Sequence, residues 1–398
     1  ADLSSLWYNS AASRWELNFT PAAGSELGDY DFRIKVADTD SGSTGWNTYS
    51  DVISVLNNLP SVQDYSVSSS VVIRTETIVL RANVTDIEDQ EPEHALTLQY
   101  NSPSGSWSSA NLSTFWYNSS AGHWETNFTP HSGMETGNYS IRIMSNDTDG
   151  GSSGWNVYNN AFQVANSVIQ ITSYAVSDDE VYRTDTVRIQ IGVYDIEQDN
   201  STVTVTIQHQ APGDDWSSAY LSTAYYNSSS ERWETNFTPP SSATLGDYDV
   251  RVRASDADGG ASDWYTYSDN ITVLNNLPSL VNYALSADEV LRTNTIVIGA
   301  NTTDTEDTES SHAVSVEYRT PSGDWSSSAL STPWYNSATS RWESNFTPPS
   351  TAELGEYDLR IKVTDTDSGS TGWNTYSDVI SVLNNLPSVQ NYSVSSSV

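Results

Sequence analysis

Residues 124–130 read WETNFTP, and the same seven residues return at 233–239; single changes give WELNFTP at 15–21 and WESNFTP at 342–348. Trp15, Trp124, Trp233 and Trp342 stand 109 residues apart, and so do Trp46, Trp155, Trp264 and Trp373. No insertion or deletion separates the copies. The chain is therefore one module repeated, and each copy is a folding unit before it is anything else.

The stretch itself reads as a strand. In RWELNFTP, Trp15, Leu17 and Phe19 fall on one face and Glu16, Asn18 and Thr20 on the other, with a period of two. Val187, Ile189, Ile191 and Val193 alternate in the same way, as do Leu96, Leu98 and Tyr100, and Tyr30, Phe32, Ile34 and Val36. Turn sequences such as SPSGSW from Ser102, YNSSAGHW from Tyr117 and NDTDGGSSGW from Asn146 separate these runs. About seven short strands per module without a helical period predict an all-β chain of tandem immunoglobulin-like antiparallel β-sandwich modules with a 109-residue period.

The linker NNLPS at 57–61 recurs at 275–279 and 384–388, and in altered form around Asn166. Cutting there leaves 1–58 as the C-terminal part of a module, whole modules at 59–167, 168–276 and 277–385, and 386–398 as the first strand of a further one. Residues 1–58 alone would expose an apolar face and open strand edges. The expectation is a window on a longer repetitive polypeptide; the alternative is completion by a neighbouring subunit, with 386–398 donating a strand.

The segments LGDYDFRIKVADTDSG from Leu27 and LGEYDLRIKVTDTDSG from Leu354 resemble the sixth strand of immunoglobulin-like and fibronectin type III-like domains, with the corner tyrosine at Tyr30 and Tyr357. The whole chain resembles tandem repeat proteins of this kind, cadherin-like ones included, on prokaryotic cell surfaces and in extracellular filaments. The paired cysteines of antibody domains are missing, since the chain has no cysteine.

Composition narrows the function. Fifty-one acidic against sixteen basic residues give a net charge of -35, which excludes an electrostatic grip on nucleic acid. No apolar run spans a bilayer, and the start, ADLSSLWYN, carries no targeting signal. The histidines, His94, His123, His131, His209 and His312, read as surface or strand residues, and no nucleophile–base set stands out, so no enzyme is expected.

N-linked glycans are expected at the Asn-X-Ser/Thr triplets and place the chain outside the cell. Asn18, Asn127, Asn236 and Asn345 form the repeated set on the wet face of the WETNFTP strand. Asn83, Asn111, Asn118, Asn138, Asn146, Asn200, Asn227, Asn270, Asn301 and Asn391 complete the acceptors.

Two loops in each module concentrate carboxylates. The first, after the second strand, holds Asp86, Glu88 and Asp89, then Asp195, Glu197 and Asp199, then Asp304, Glu306 and Asp307. The second, after the sixth strand, holds Asp147 and Asp149, then Asp256 and Asp258, then Asp365 and Asp367. In an immunoglobulin-like sandwich the two loops share one end and face the preceding linker, here Asn57 and Asn58. Oxygen donors converging from two loops are what Ca²⁺ takes, so calcium at the module junctions is expected, an arrangement that resembles cadherin-like junctions. The alternative is a set of solvated turns.

The sequence points to the structural repeat region of a glycosylated extracellular filament or cell-surface stalk that associates with itself, at about 35–40 Å per module if the strands run along its axis. The competing reading is an adhesin or carbohydrate-binding array, in which Trp116-Tyr117 and Tyr225-Tyr226 each turn one ring outward and Tyr117 and Tyr226 are the rings offered to sugar. A third is a set of accessory modules of a secreted enzyme.

Overall fold

A computed structural model describes residues 2–395. By its contacts the chain divides into two compact units. One runs through Ile169 and takes in the loops Asp195–Thr202 and Asp256–Gly260; the other holds Gln170–Tyr194, Val203–Ser255 and the chain from Ala261 on.

The strand Ile78–Thr85 shows why the first unit forms a sandwich. Ile78, Leu80, Ala82 and Val84 are buried while the residues between them are not, so one face of a pleated strand supplies the core. Its sheet has the order Trp116–Asn118, His123–Phe128, Ile78–Thr85, Ser61–Val67. The facing sheet runs Ala95–Asn101, Gly137–Asn146, Asn156–Ala165, Val71–Ile73; only its last pair is parallel. Phe128, Tyr139 and Phe162 meet between the sheets, with Phe128 and Phe162 ring centres 5.0 Å apart.

The second unit repeats this arrangement twice. In the first of these sandwiches, Gln170–Val176, Val187–Tyr194, Arg232–Phe237 and Tyr225–Asn227 face Glu180–Tyr182, Tyr265–Leu274, Gly246–Ser255 and Thr204–Gln210. In the next, the short strand Trp325–Ser326 adds a fifth member beside Ala313–Arg319. The chain is thus all-β, built of tandem immunoglobulin-like sandwiches, as its alternation predicts.

The corner tyrosine is present in every copy. Tyr30, Tyr139, Tyr248 and Tyr357 each donate a hydroxyl hydrogen bond, of 2.7–2.9 Å, to the carbonyl four residues upstream. Burial pushes the hydroxyls of Tyr139 and Tyr248 up to about 12, so both remain protonated donors across physiological pH.

Outside the core, one basic side chain in each sandwich is clasped by two indoles. Arg142 lies between Trp107 and Trp155, Arg251 between Trp216 and Trp264, and Arg360 between Trp325 and Trp373, at 4.2–4.7 Å from the ring centres. These cation–π contacts explain why Trp155, Trp264 and Trp373 recur without belonging to the core.

The glutamate of WETNFTP is not a wet-face residue. Glu234 is buried beside Gln190, Asn227, Ser230 and Tyr225, and the Gln190 amide first among these bonds holds its carboxyl at about 2, below the usual 4.5. A lowered carboxyl contributes stability above its unfolded value, and that contribution is lost as pH falls from about 4.5 through about 2. Acid unfolding of the wild type should therefore steepen across that window. Glu234→Gln should flatten it, and an unchanged acid profile in the variant would refute the assignment.

Residues 2–56 form only part of a sandwich. Gly28–Ile34 pairs with Asn47–Val55, Trp7–Asn9 with Arg14–Glu16, and Asp2–Leu3 with Phe19–Thr20. The strand from Gly28 stops at Ile34, so Val36, expected in it, lies beyond its end. Phe19, Tyr30 and Phe32 still cluster, but Leu3, Leu6, Ile34 and Trp46 are exposed, and Trp15 is 67% exposed where Trp124 is 8%. Residues 386–395 carry no strand; 396–398, the rest of that expected strand, lie outside the described residues.

Candidate functional site: the acidic junctions

At the linkers beginning with Asn57, Asn166 and Asn275, that asparagine and the residue after it reach the carboxylates of the sandwich that follows. Asn57 donates its side-chain amide to Asp147 at 2.9 Å, while Asn58 donates both its main-chain N–H and its side-chain amide to Glu88, at 2.7 and 2.9 Å. At the next linker Asn166 donates to Asp256 and the Ser167 N–H to Glu197; at the third Asn275 donates to Asp365 and the Asn276 N–H to Glu306. The two acidic loops do share one end and face the preceding linker.

The loops hold themselves in place by turn chemistry. Asp86, Asp195 and Asp304 each accept the main-chain N–H two residues on, from Glu88, Glu197 and Glu306. Asp147, Asp256 and Asp365 accept the N–H of Gly151, Gly260 and Gly369, and a Cβ on any of these glycines would lie within 2.6 Å of both that aspartate and the linker asparagine. Asp89 and Asp307 tie the two loops together by accepting from Thr148 and Thr366. Asp199 instead closes a local turn on Ser201, and Gln198 reaches Asp258 at 3.4 Å.

A residue absent from the sequence reading completes the set. Arg74, 5% exposed, donates Nε to the Met134 carbonyl of its own sandwich and Nη1 to Asp258 at 2.5 Å, and Nη1 lies 3.8 Å from Glu197. Arg183 repeats the arrangement, with Nε on the Ala243 carbonyl and Nη1 on Asp367 at 2.5 Å. The visible signal was spacing: Arg74, Arg183 and Arg292 each precede a threonine and recur in step with the tryptophans.

This geometry bears on the expected calcium. The carboxylates of Asp147, Asp256 and Asp365 are engaged by amides, and Asp258 and Asp367 by guanidinium groups. What remains is one buried oxygen without a hydrogen-bond partner on each of Asp86, Glu88, Asp195, Glu197, Asp304 and Glu306, two per junction, with the Glu197 oxygen 3.8 Å from Arg74 Nη1. Among the described residues no three acidic or histidine side chains converge as metal ligands. Calcium takes six to eight oxygens, so the donor set does not form a closed cage for it. Burial raises Glu197 and Glu306, whereas for Asp86 burial is outweighed by hydrogen bonds from Glu88 and Ile87, which leave it lowered.

The glycan acceptors separate by what their side chains already do. Asn18 and Asn236 are exposed and Asn127 and Asn345 half-buried, each one residue before the phenylalanine whose ring turns inward. Asn83, Asn138 and Asn391 are exposed and Asn146 is half-buried. By contrast Nδ2, the atom a glycan would join, donates from Asn118 to Glu125, from Asn301 to Asn282 and from Asn111 to the Tyr100 hydroxyl. Asn227 bonds Glu234, Asn270 accepts from Tyr174, and Asn200 accepts the Asp195 N–H.

Two further expectations are revised. Tyr117 and Tyr226 pack edge-on against Trp124 and Trp233, and the outward rings are Trp116 and Tyr225. His94, His209 and His312, read as surface or strand residues, are all buried, and of these His209 lies in the strand Thr204–Gln210; its ring stacks on Tyr220, and burial lowers its pKa.

No helix among the described residues is long and apolar enough to cross a membrane. No family model and no curated protein sequence matches the chain. Among solved structures it is similar to the Escherichia coli adhesin FdeC, at 12% identity and TM-score 0.26 over 81% of this chain and 96% of that one. It is also similar to the N-terminal eight Ig domains of Down Syndrome Cell Adhesion Molecule, at 10% identity and TM-score 0.30 over 96% and 43% of the two chains. Mouse nectin-like molecule 4 shows 9% identity and TM-score 0.28 over 80% of this chain and 99% of its own. Likeness at this level extends to neither activity nor partners, and the chain stands as an array of immunoglobulin-like sandwiches joined by acidic, asparagine-lined junctions.

Proposed function

We propose that the chain is the repeat region of a glycosylated extracellular stalk or filament, and that its work is mechanical. The observation supporting this is the recurrence of one junction at successive linkers: asparagine amide to aspartate, linker N–H to glutamate, and at two of the three an arginine to a second aspartate. A chemistry repeated at every joint serves spacing and stiffness, since each joint then has the same preferred geometry. Electron micrographs of the native assembly should show extended fibres with a regular axial repeat; dispersed particles that bend freely between modules would sink the reading.

Glycopeptide mapping tests the second half of the proposal. Occupancy is expected at Asn127, Asn236 and Asn345, and at the exposed Asn83 and Asn138. Asn118 and Asn301 are expected to be bare, because modification there removes an existing hydrogen bond. The reverse distribution would overturn this assignment.

A second reading, adhesion through carbohydrate, is favoured by the exposed rings of Trp116, Tyr225 and Trp334, which sit at the same place on three equivalent hairpins. Glycan-array binding lost in Trp116→Ala and Tyr225→Ala would favour it over a stalk. Modules accessory to a secreted enzyme are the third reading, decided by whether a catalytic domain shares the polypeptide.

A further inference from the structure

The sandwich of residues 168–276 departs from the repeat at one end, and the departures coincide. Tyr100 and Tyr318 hold one position in the other two whole sandwiches; here that position is His209. In those two, Glu135 and Glu353 close the same end by accepting the main-chain N–H and the hydroxyl of Ser104 and Ser322. Their counterparts here are Thr244 and Gly213, so the closing pair has lost both of its side-chain groups.

A cavity of about 280 Å³ opens in consequence, lined by His209, Tyr220, Ser242 and Thr244 among others. The corresponding space beside Tyr318, Glu353 and Tyr357 is about 70 Å³. In the sandwich of residues 59–167, Asn111, at the repeat position of Tyr220, turns its amide onto the Tyr100 hydroxyl instead.

The lining carries chemistry that packing does not require. His209 is 3% exposed, and its Nε2 bonds the Ala219 carbonyl. A carbonyl only accepts, so Nε2 carries the proton and Nδ1 is left as an acceptor. That Nδ1 is buried and has no hydrogen-bond partner, which costs stability. Tyr220 stacks on the imidazole with its backbone at φ 66°. A bulky side chain is strained in this left-handed region, whereas Asn111, at φ 60°, is of a type that tolerates it. Strain and an unpaired polar atom held together beside a cavity point to a ligand.

Asp214 and Asp215 are exposed at the mouth, and among the described residues neither carboxylate has a hydrogen bond or an ion pair. Asp214 stands where the other two sandwiches have Gly105 and Gly323. Carboxylates, hydroxyls and a neutral imidazole nitrogen make a site rich in acceptors, beside the face of an aromatic ring.

We propose that this cavity binds a hydroxylated amine the size of one sugar ring, an amino sugar. Its ammonium sits against Asp214 and Asp215, and its ring lies on Tyr220. Its hydroxyls bond Ser242, Thr244 and, with a small movement of the stacked rings, His209 Nδ1. The volume suits one ring and not a chain of them. The site is separate from the outward rings of Trp116, Tyr225 and Trp334 and does not depend on the filament reading.

Calorimetric titration of the full chain with glucosamine, in mildly acidic buffer that keeps its amine protonated, tests the site. A ligand this small should bind with about millimolar affinity. Glucose, equal in size but uncharged, should bind about tenfold more weakly or not at all. Asp214→Asn, an exposed change that leaves the packing intact, should weaken glucosamine about tenfold. His209→Tyr puts in the side chain that two other sandwiches already accommodate at this position, and should abolish binding by filling the cavity. Trp116→Ala should bind as wild type does. Wild type that does not bind glucosamine, glucose that binds equally well, binding that survives both Asp214→Asn and His209→Tyr, or binding lost in Trp116→Ala would each overturn the proposal.

Discussion

Replacing Arg183 with Gln is expected to cost about 1–3 kcal/mol and to loosen the loop that carries Asp367. Arg183 is 7% exposed, and its guanidinium spans two partners, the Ala243 carbonyl and the Asp367 carboxylate. Its removal leaves a buried carbonyl without a donor and a carboxylate without its counter-charge. The estimate sits below the range for fully buried pairs because the Asp367 side chain is 31% exposed, where water and salt take part of the load. A double-mutant cycle with Asp367→Asn isolates the pair. A coupling energy within error of zero would mean that the contact holds nothing. Hydrogen exchange at residues 365–369 supplies a local readout, with faster exchange expected in Arg183→Gln. The same measurement with calcium and with a chelator separates an arginine-held junction from a metal-held one, and the arginine-held junction predicts no difference between the two.

Phe237→Ala should be the most damaging single truncation in its sandwich, at about 3–5 kcal/mol. The ring is fully buried, and its centre lies 5.2 Å from that of His209 and 5.6 Å from that of Tyr248. It also closes the end of the Val187–Tyr194 strand, since Phe237 pairs with Val187. Alanine there leaves a cavity between two sheets whose strands cannot collapse without losing register. Phe237→Leu keeps most of the volume and should cost markedly less, which distinguishes a packing loss from a disrupted strand. Peptide-resolved hydrogen exchange should show protection lost in Val187–Tyr194, Thr204–Gln210 and Gly246–Ser255, and kept in Ile296–Thr303 and Gly355–Thr364. An equal fall in both sandwiches would show that they unfold together and that the modules are not independent folding units.

Much of the architecture was legible because a sandwich strand carries its structure in its alternation. Phe128, Phe237 and Phe346 are fully buried where the period of two places them, and the corner tyrosines bond upstream as their motif implies. The glutamate of the same stretch was misplaced because alternation assigns a side but says nothing of what covers that side: Glu125, Glu234 and Glu343 lie beneath neighbouring polar side chains and are buried. The outward aromatic of each pair was exchanged for a similar reason. Tyr117 faces the edge of Trp124 across the hairpin, and cross-strand packing, not strand period, decides which of two adjacent rings is covered.

The junctions divide in the same way. The resemblance to an immunoglobulin-like sandwich implied that the two acidic loops share one end beside a linker, because that topology puts those loops together whatever they contain. What the tertiary structure added is a fixed positive charge at two of the three junctions, because a sequence rich in carboxylates does not say which guanidinium reaches them. Only the fold showed that Arg74 and Arg183, 184 residues before the aspartates they meet, are held by their own sandwiches within reach of those aspartates.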